Sequence, residues 1–281
     1  MNSILDMCEK IGLQEEIIKE ITVFNETLSY DNMKEDLEKL LSFETAKDAR
    51  AKLKEKLGED KKGVKILTCM MHCLEDTYKK YKELGISDQI FVDTMNCFPR
   101  FIEEHKNSYG FYGFDRDWWT TRQIGMKLFR IGELEYELLC EEKDKVISMH
   151  IPSDAKLSII NCRKSYEESK KFIKTHYPEY IDSRYICDSW LLSPALKELL
   201  PETSNIIKFQ EAFAISEWNK EEKEFIEWVY KIKVDDNNIV TDDYKKLPED
   251  TSLQRNMKQY LLNGGFIGSA YGQLIEKPWD E

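Results

Sequence analysis

Glycine and proline are scarce in this chain, 12 and 7 residues among 281. Collagen-like and low-complexity classes depend on those two residues and are excluded. Long apolar runs are missing too. The longest, residues 66–74, falls far short of the roughly 20 residues that cross a bilayer, and it contains His72. Positive charge is in deficit, with Lys+Arg 41 against Asp+Glu 53 and a net charge of -12. A surface that coats nucleic acid needs concentrated positive charge, so neither a nucleic-acid nor a membrane partner is expected. The seven cysteines (Cys8, Cys69, Cys73, Cys97, Cys140, Cys162 and Cys187) are odd in number and scattered. They suit small core residues in a reducing compartment better than a disulfide framework. Asp6 and Glu9 stand where a secretory signal would be basic and then apolar. The expectation is a cytoplasmic protein.

Hydrophobic residues are plentiful at 41%, with 12% aromatics and 33% charged residues. That is enough for a large core with a charged exterior and rules out bulk disorder. Two halves with different periodicity emerge. Through residue 110 the apolar positions recur every three to four residues, as in Ile4, Leu5, Cys8 and Ile11, or Met33, Leu37, Leu40 and Leu41. This predicts a helical bundle. Asp31 is a candidate N-cap, residues 62–84 form the longest periodic run, and Ser87 opens a further helix with Pro99 inside it or at its end.

From residue 111 the pattern changes. An aromatic and glycine-rich stretch reads as a connection, and then strand signals begin. Residues 128–139 alternate through Phe129, Ile131, Leu134, Tyr136 and Leu138, predicting one strand. Residues 146–151 predict a second, hairpinned strand, residues 158–176 an amphipathic helix, and residues 185–192 a third strand. Residues 205–215 predict a fourth strand, 221–229 and 252–262 helices, and 266–275 a last strand. Ser193 and Pro194 start a short helix between the third and fourth. The class is α+β: a helical N-terminal domain, residues 1–110, followed by a mixed β-sheet domain flanked by helices, residues 111–281.

Several chemical signatures are absent: GxxxxGK[ST], a GxGxxG after a strand, HExxH and GxSxG. Cys69, His72 and Cys73 share a helical face, but their neighbours are apolar and a zinc site needs four ligands, so a buried, metal-free cluster is expected. Lys164, Lys170, Lys171 and Lys174 crowd one helix, as a phosphate contact or simply a solvated face. His150 ends a strand just before a proline-stopped loop, where an imidazole suits general-base work. The alternative is a hydrogen-bonded strand end. In period two, Cys187 and Ser189 face one side of their strand and Asp188 and Trp190 the other. An ionised Asp188 in a sheet centre needs a partner or a position at the sheet end. Thr251 and Ser252 begin a helix with Arg255 in its first turn, either an anion site or plain capping.

The strings FRIGELEYEL, ISMHIPSDA, CDSWLLSP, SNIIKFQ and TSLQRNMKQYLLNGG occur in that order. Together they resemble a bacterial acyltransferase family with a helical N-acyltransferase N-terminal domain and a C-terminal domain similar to GNAT (Gcn5-related) N-acetyltransferases. The resemblance covers essentially the whole chain. It implies acyl-CoA as donor, acetyl-CoA first among acyl-CoAs, and a small-molecule or peptide amine as acceptor. It implies a sheet that splays between the strands carrying His150 and Asp188, and a phosphate-binding loop at residues 152–158 leading into the following helix. On that mapping His150 or Asp188 is the base and Cys187 or Ser189 protonates the leaving thiolate. Ser153, Lys156, Ser158, Arg163 and Lys164 would face the donor, with Arg255 as a further candidate. The loop departs from the family's glycine-rich pattern, since Ser153, Asp154, Ala155 and Lys156 include no glycine. A catalytically silent ligand-binding or interaction protein is therefore the rival reading.

Overall fold

The computed structural model describes residues 3–141, 144–232 and 244–279. The chain divides into two compact units, Met1–Arg130 and Ile131–Glu281.

The first unit is helical: α1 (Ser3–Lys10), α2 (Glu15–Thr27), α3 (Lys34–Leu40), α4 (Phe43–Leu57), α5 (Val64–Glu83), α6 (Asp88–Met95), α7 (Cys97–Tyr109) and α8 (Asp117–Ile124). The long apolar run becomes α5, and α1, α2, α3 and α8 all pack on it. Its Ile66, Leu67, Cys69, Met70, Met71 and Leu74 are buried, which makes it the axis of the bundle. The stretch read as a connection contains α8. That helix is held to α4 by the buried Asp117 carboxylate, which accepts from Arg50 at 2.6 Å and lies 3.2 Å from Lys54. Local caps follow the expected chemistry. Ser87 Oγ accepts from the Ile90 N–H at the start of α6, and Pro99 falls in the first turn of α7, where a missing N–H costs nothing. Asp31 does not cap α3, which begins behind Met33.

Cys69 and Cys73 lie inside this bundle. Burial pushes the Cys69 thiol up to about 12, and Cys73 Sγ donates to the Leu37 carbonyl. His72 Nε2 meets Asn25 Oδ1 at 2.7 Å. Each has an internal partner or an apolar setting, as expected of core residues.

The second unit is built on a mixed sheet. Its strands are β1 (Leu128–Ile131), on which the division falls, β2 (Leu134–Glu141), β3 (Asp144–His150), β4 (Arg184–Ser189), β5 (Phe213–Asn219) and β6 (Ser269–Leu274), in the order β1-β2-β3-β4-β6-β5. The helices are α9 (Ile159–His176), α10 (Leu196–Leu199), α11 (Asn205–Gln210), α12 (Glu224–Tyr230) and α13 (Ser252–Leu262).

Four predicted strands are shorter than their sequence pattern; the last, 266–275, is strand only over Ser269–Leu274, behind the left-handed Gly268. The alternating run 128–139 breaks at Gly132, whose φ of +66° makes a turn between β1 and β2. Ser165 of α9 seals that turn: its hydroxyl donates to the Ile131 carbonyl and accepts from the Leu134 N–H. The run 185–192 ends at Ser189, whose Oγ accepts from Leu191 N at 3.1 Å and turns 190–192 into a 3-10 helix. The run 205–215 is not one strand. Ser204 caps α11 through the Ile206 N–H, and β5 starts only at Phe213. In each case a serine or glycine outcompetes the strand signal by supplying a local turn. The helix predicted from Ser158 is present, with Ser158 Oγ accepting from the Asn161 N–H.

Gly268 joins α13 to β6 with φ +66°, and a Cβ there would meet the Asn219 carbonyl oxygen at 2.1 Å. Gly264 has φ +86° but open space around it. Gly264→Ala should cost about 1–2 kcal/mol for the left-handed backbone alone, and Gly268→Ala distinctly more. Urea midpoints of the two variants check the difference. Equal midpoints would show that β5 and β6 need no such close approach.

Candidate functional site

The strands β3 and β4 run parallel, but they pair only at residues 146–148 against 184–186. Beyond Ser148 and Ile186 they part company. β3 stays with β2 as far as the pair of Glu135 with His150, and β4 stays with β6 as far as the pair of Ser189 with Ala270. The sheet therefore opens between Met149 and His150 on one edge and Cys187, Asp188 and Ser189 on the other. A parallel pair carries regular, evenly spaced hydrogen bonds. Where it stops, backbone donors and acceptors of both strands are left for other partners.

Register decides which side chains share a face. His150 lies on one face with Glu135, Glu137 and Ser148, and continuing the parallel register puts Asp188 on that face across the opening. Glu137 is almost wholly buried, and its Oε2 meets His150 Nε2 at 2.9 Å. A carboxylate on one ring nitrogen fixes the tautomer and orients the other nitrogen. His150 is thus partnered, as the strand-end alternative supposed.

Asp188 is exposed and has no hydrogen-bond partner among the described residues, which removes the cost of a buried charge. Beside it is an open depression of about 340 Å³ whose lining includes Asp188, Glu217, Glu222, Ser269 and Tyr271. Glu217 reaches this face through a bulge. Ile215 pairs with Gly272 and Glu217 with Tyr271, leaving Ser216 as the extra residue. In a strand of unbroken alternation Glu217 would share the face of Ile215, opposite this one. Arg184 donates to Tyr271 Oη at 2.8 Å and to Glu141 at 2.6 Å, tying three strands of the same face together.

The other candidates fall elsewhere. Cys187 and Ser189 point to the opposite, packed face. Cys187 is fully buried, and burial together with the neighbouring Asp188 charge pushes its thiol well above the usual range. Ser189 serves as the cap of the following turn. In the loop after β3, the Lys156 N–H donates to Glu133 Oε2 at 2.8 Å, so a carboxylate already occupies that donor. Ser153 and Lys156 are exposed beside it, and Ser158 is committed to capping α9. Lys164 is exposed, with Glu168 3.9 Å away, and Lys170 pairs with Glu167 at 2.7 Å. Arg163 donates to the carbonyl of Trp279. Arg255 lies on another part of the unit and donates to the carbonyls of Glu249 and Asp250, bracing the loop before α13. Thr251 and Gln254 complete a capping box there, the plain-capping alternative for that helix start.

Sequence reasoning passed over Glu137 and Glu217. Glu137 sits at a polar position of an alternating strand, which reads as solvent-facing, and Glu217 is on the face it occupies only because of the bulge.

Residues 126–274 match the family model described as a GNAT-like C-terminal domain, and residues 2–126 match the N-acyltransferase N-terminal domain. Among solved structures, an acyltransferase in complex with decanoyl-CoA and teicoplanin has a TM-score of 0.79 at 21% identity, covering 96% of this chain and 86% of that one. An acyltransferase in complex with decanoyl-CoA has a TM-score of 0.77 at 19% identity, with the same coverage. An acyltransferase in complex with CoA and 10C-teicoplanin has a TM-score of 0.69 at 18% identity, covering 97% and 99% of the two chains. At these identities the likeness is one of fold. No curated protein matches the chain.

The contrast between cysteines is directly measurable. Cys140 is exposed, whereas Cys187 is buried with a raised thiol pKa. Iodoacetamide at pH 8 should alkylate Cys140 in the native protein and leave Cys187 unmodified until denaturant is added. Rapid native labelling of Cys187, read by peptide mass spectrometry, would return it to the list of reactive groups.

Proposed function

The chain belongs to the GNAT-like C-terminal domain family, with an N-acyltransferase N-terminal domain ahead of it, and on that premise we propose that it moves an acyl group from acyl-CoA to an amine acceptor. The observation that carries this reading is the opening between β3 and β4 with the His150–Glu137 pair on its edge. In this proposal the thioester lies in the opening, where backbone groups released from pairing polarise its carbonyl. His150 removes a proton from the acceptor ammonium, and the Glu137 carboxylate stabilises the resulting imidazolium. The amine nitrogen then bonds to the carbonyl carbon, the C–S bond breaks, and the thiolate leaves and takes up a proton. Asp188, across the opening, is the second candidate for the base.

Relatives of this fold in complex with decanoyl-CoA support a donor with a medium-length chain over acetyl-CoA, and the teicoplanin complex supports a small-molecule amine acceptor. No helix of the described residues is long and apolar enough to cross a membrane. Reliance on acyl-CoA, an intracellular thioester, supports a cytoplasmic setting.

One observation favours the rival reading of a ligand-binding protein without turnover. The loop before α9 lacks glycine, and Glu133 already takes the Lys156 N–H. The two readings part in one experiment: thermal shift with CoA and with acyl-CoAs from acetyl to decanoyl, then thiol release in the presence of a panel of amines. Acyl-CoA should stabilise the protein by about 2.7 kcal/mol at a hundred times its Kd. His150→Ala should lower thiol release by roughly 10²–10⁴-fold, the range for a lost general base, with donor binding retained. Binding without thiol release from any amine would favour the silent reading. No stabilisation by any CoA species would end the acyltransferase reading and leave an interaction protein or a binder of another ligand.

A further inference from the structure

The segment that follows β6, residues 275–279, is anchored at its two ends and little in between. Ile275 donates its N–H to the Ala212 carbonyl at 2.9 Å. Glu276 and Lys277 are exposed, and Trp279 is buried again, 6% accessible. The indole sits among Tyr166 of α9, Phe209 of α11 and Phe213 of β5, with ring centroids 6.2, 5.9 and 6.4 Å away. The Trp279 carbonyl accepts a hydrogen bond from the Arg163 guanidinium.

This placement is costly to the molecule in two independent ways. The indole Nε1 is buried and has no hydrogen-bond partner among the described residues, although a buried tryptophan N–H ordinarily finds one. Trp279 also has φ +60°, a left-handed conformation that a bulky residue avoids. Contacts with three aromatic rings and a hydrogen bond from Arg163 are among the interactions that offset these costs. Such a balance between strain and a small set of contacts is the property of an element that changes partner.

Arg163 identifies the competitor. It is the fifth residue of α9, on the helix whose first turn follows the 152–158 loop. A guanidinium makes stronger, bidentate contacts with a phosphate than with a neutral carbonyl. We propose that residues 275–279 form a displaceable latch on the donor site. A phosphate of the CoA moiety draws Arg163 away from the Trp279 carbonyl, and the indole, having lost that anchor, leaves its aromatic slot. The inference rests on the reading of the protein as an acyl-CoA binder and adds that donor binding is coupled to release of this segment. Latching lowers the apparent donor affinity by the fraction of molecules in which the segment is released.

The test uses the full chain and CoA itself as probe. Trp279 emission is isolated by subtracting the spectrum of Trp279→Phe, and its quenching by acrylamide is measured with and without saturating CoA. The latch predicts weak quenching without CoA and at least a threefold larger quenching constant with it. By calorimetry, Trp279→Ala should bind CoA about three- to tenfold more tightly than wild type, and Arg163→Gln should weaken CoA binding about tenfold in the Trp279→Ala background but distinctly less in the wild-type background, where it also frees the latch. Equal CoA affinity in wild type and Trp279→Ala, with Trp279 still protected from acrylamide, would overturn the latch and leave the donor reading standing. Absence of CoA binding in both proteins would overturn the donor reading and the latch with it. If Trp279→Ala fails to fold, the quenching measurement on the wild-type chain decides the question alone.

Discussion

The parallel contact between β3 and β4 is only three residue pairs long, and the shape of the sheet in the second unit depends on where it stops. Each strand has its own antiparallel neighbour that continues past that point, β2 for β3 and β6 for β4. Each half of the sheet therefore keeps a ladder of its own past the central pairing. The sheet can open in its middle without fraying, and the opening is lined by backbone from two strands held rigidly on their outer sides. A site built on such strands is better defined than one built on loops.

The same register sorts the side chains. One face collects Glu135, Glu137, Ser148, His150, Asp188, Tyr271 and Glu217 from five strands. The other takes Tyr136, Tyr185 and Cys187, with Tyr136 and Tyr185 edge to face at 6.1 Å and Tyr166 of α9 behind them at 5.1 Å. A one-residue slip would exchange the two sets, so the division between polar site and aromatic core is a single decision taken by strand pairing. The bulge at Ser216 is the exception. It adds one residue to β5 and turns Glu217 onto the polar face. The result is a face rich in carboxylates, in a protein whose net charge is already -12.

The helical unit follows a different logic. Its order comes from α5, apolar around much of its circumference, with α1, α2, α3 and α8 among the helices packed on it. Two carboxylates that are buried here, Asp36 and Asp117, are paired with Lys56 and Arg50 at 2.6 Å each. Burying a carboxylate is tolerated only with such a partner, and each pair fixes the position of one helix against another. None of these groups is arranged for chemistry. They are structural, as are the buried thiols of Cys69 and Cys73.

The sequence by itself determined the local features, because these depend on residues within four positions of each other. The helical periodicity of the first half, the Ser87 and Ser158 caps, and the alternation in β2 and β3 are of this kind. His150 was legible as a strand-end imidazole ahead of Pro152. Where a short-range signal competed with another, as Ser204 and Gly132 did against apolar runs, the turn-forming residue prevailed. Only the tertiary structure decided the burial of Glu137 beside His150, the face taken by Glu217, and the commitment of Arg163 to Trp279. These pairs are separated by 13 residues or by 116. A contact over such spans depends on strand register and on the path of the chain, and neither is encoded in the local periodicity of the residues that meet.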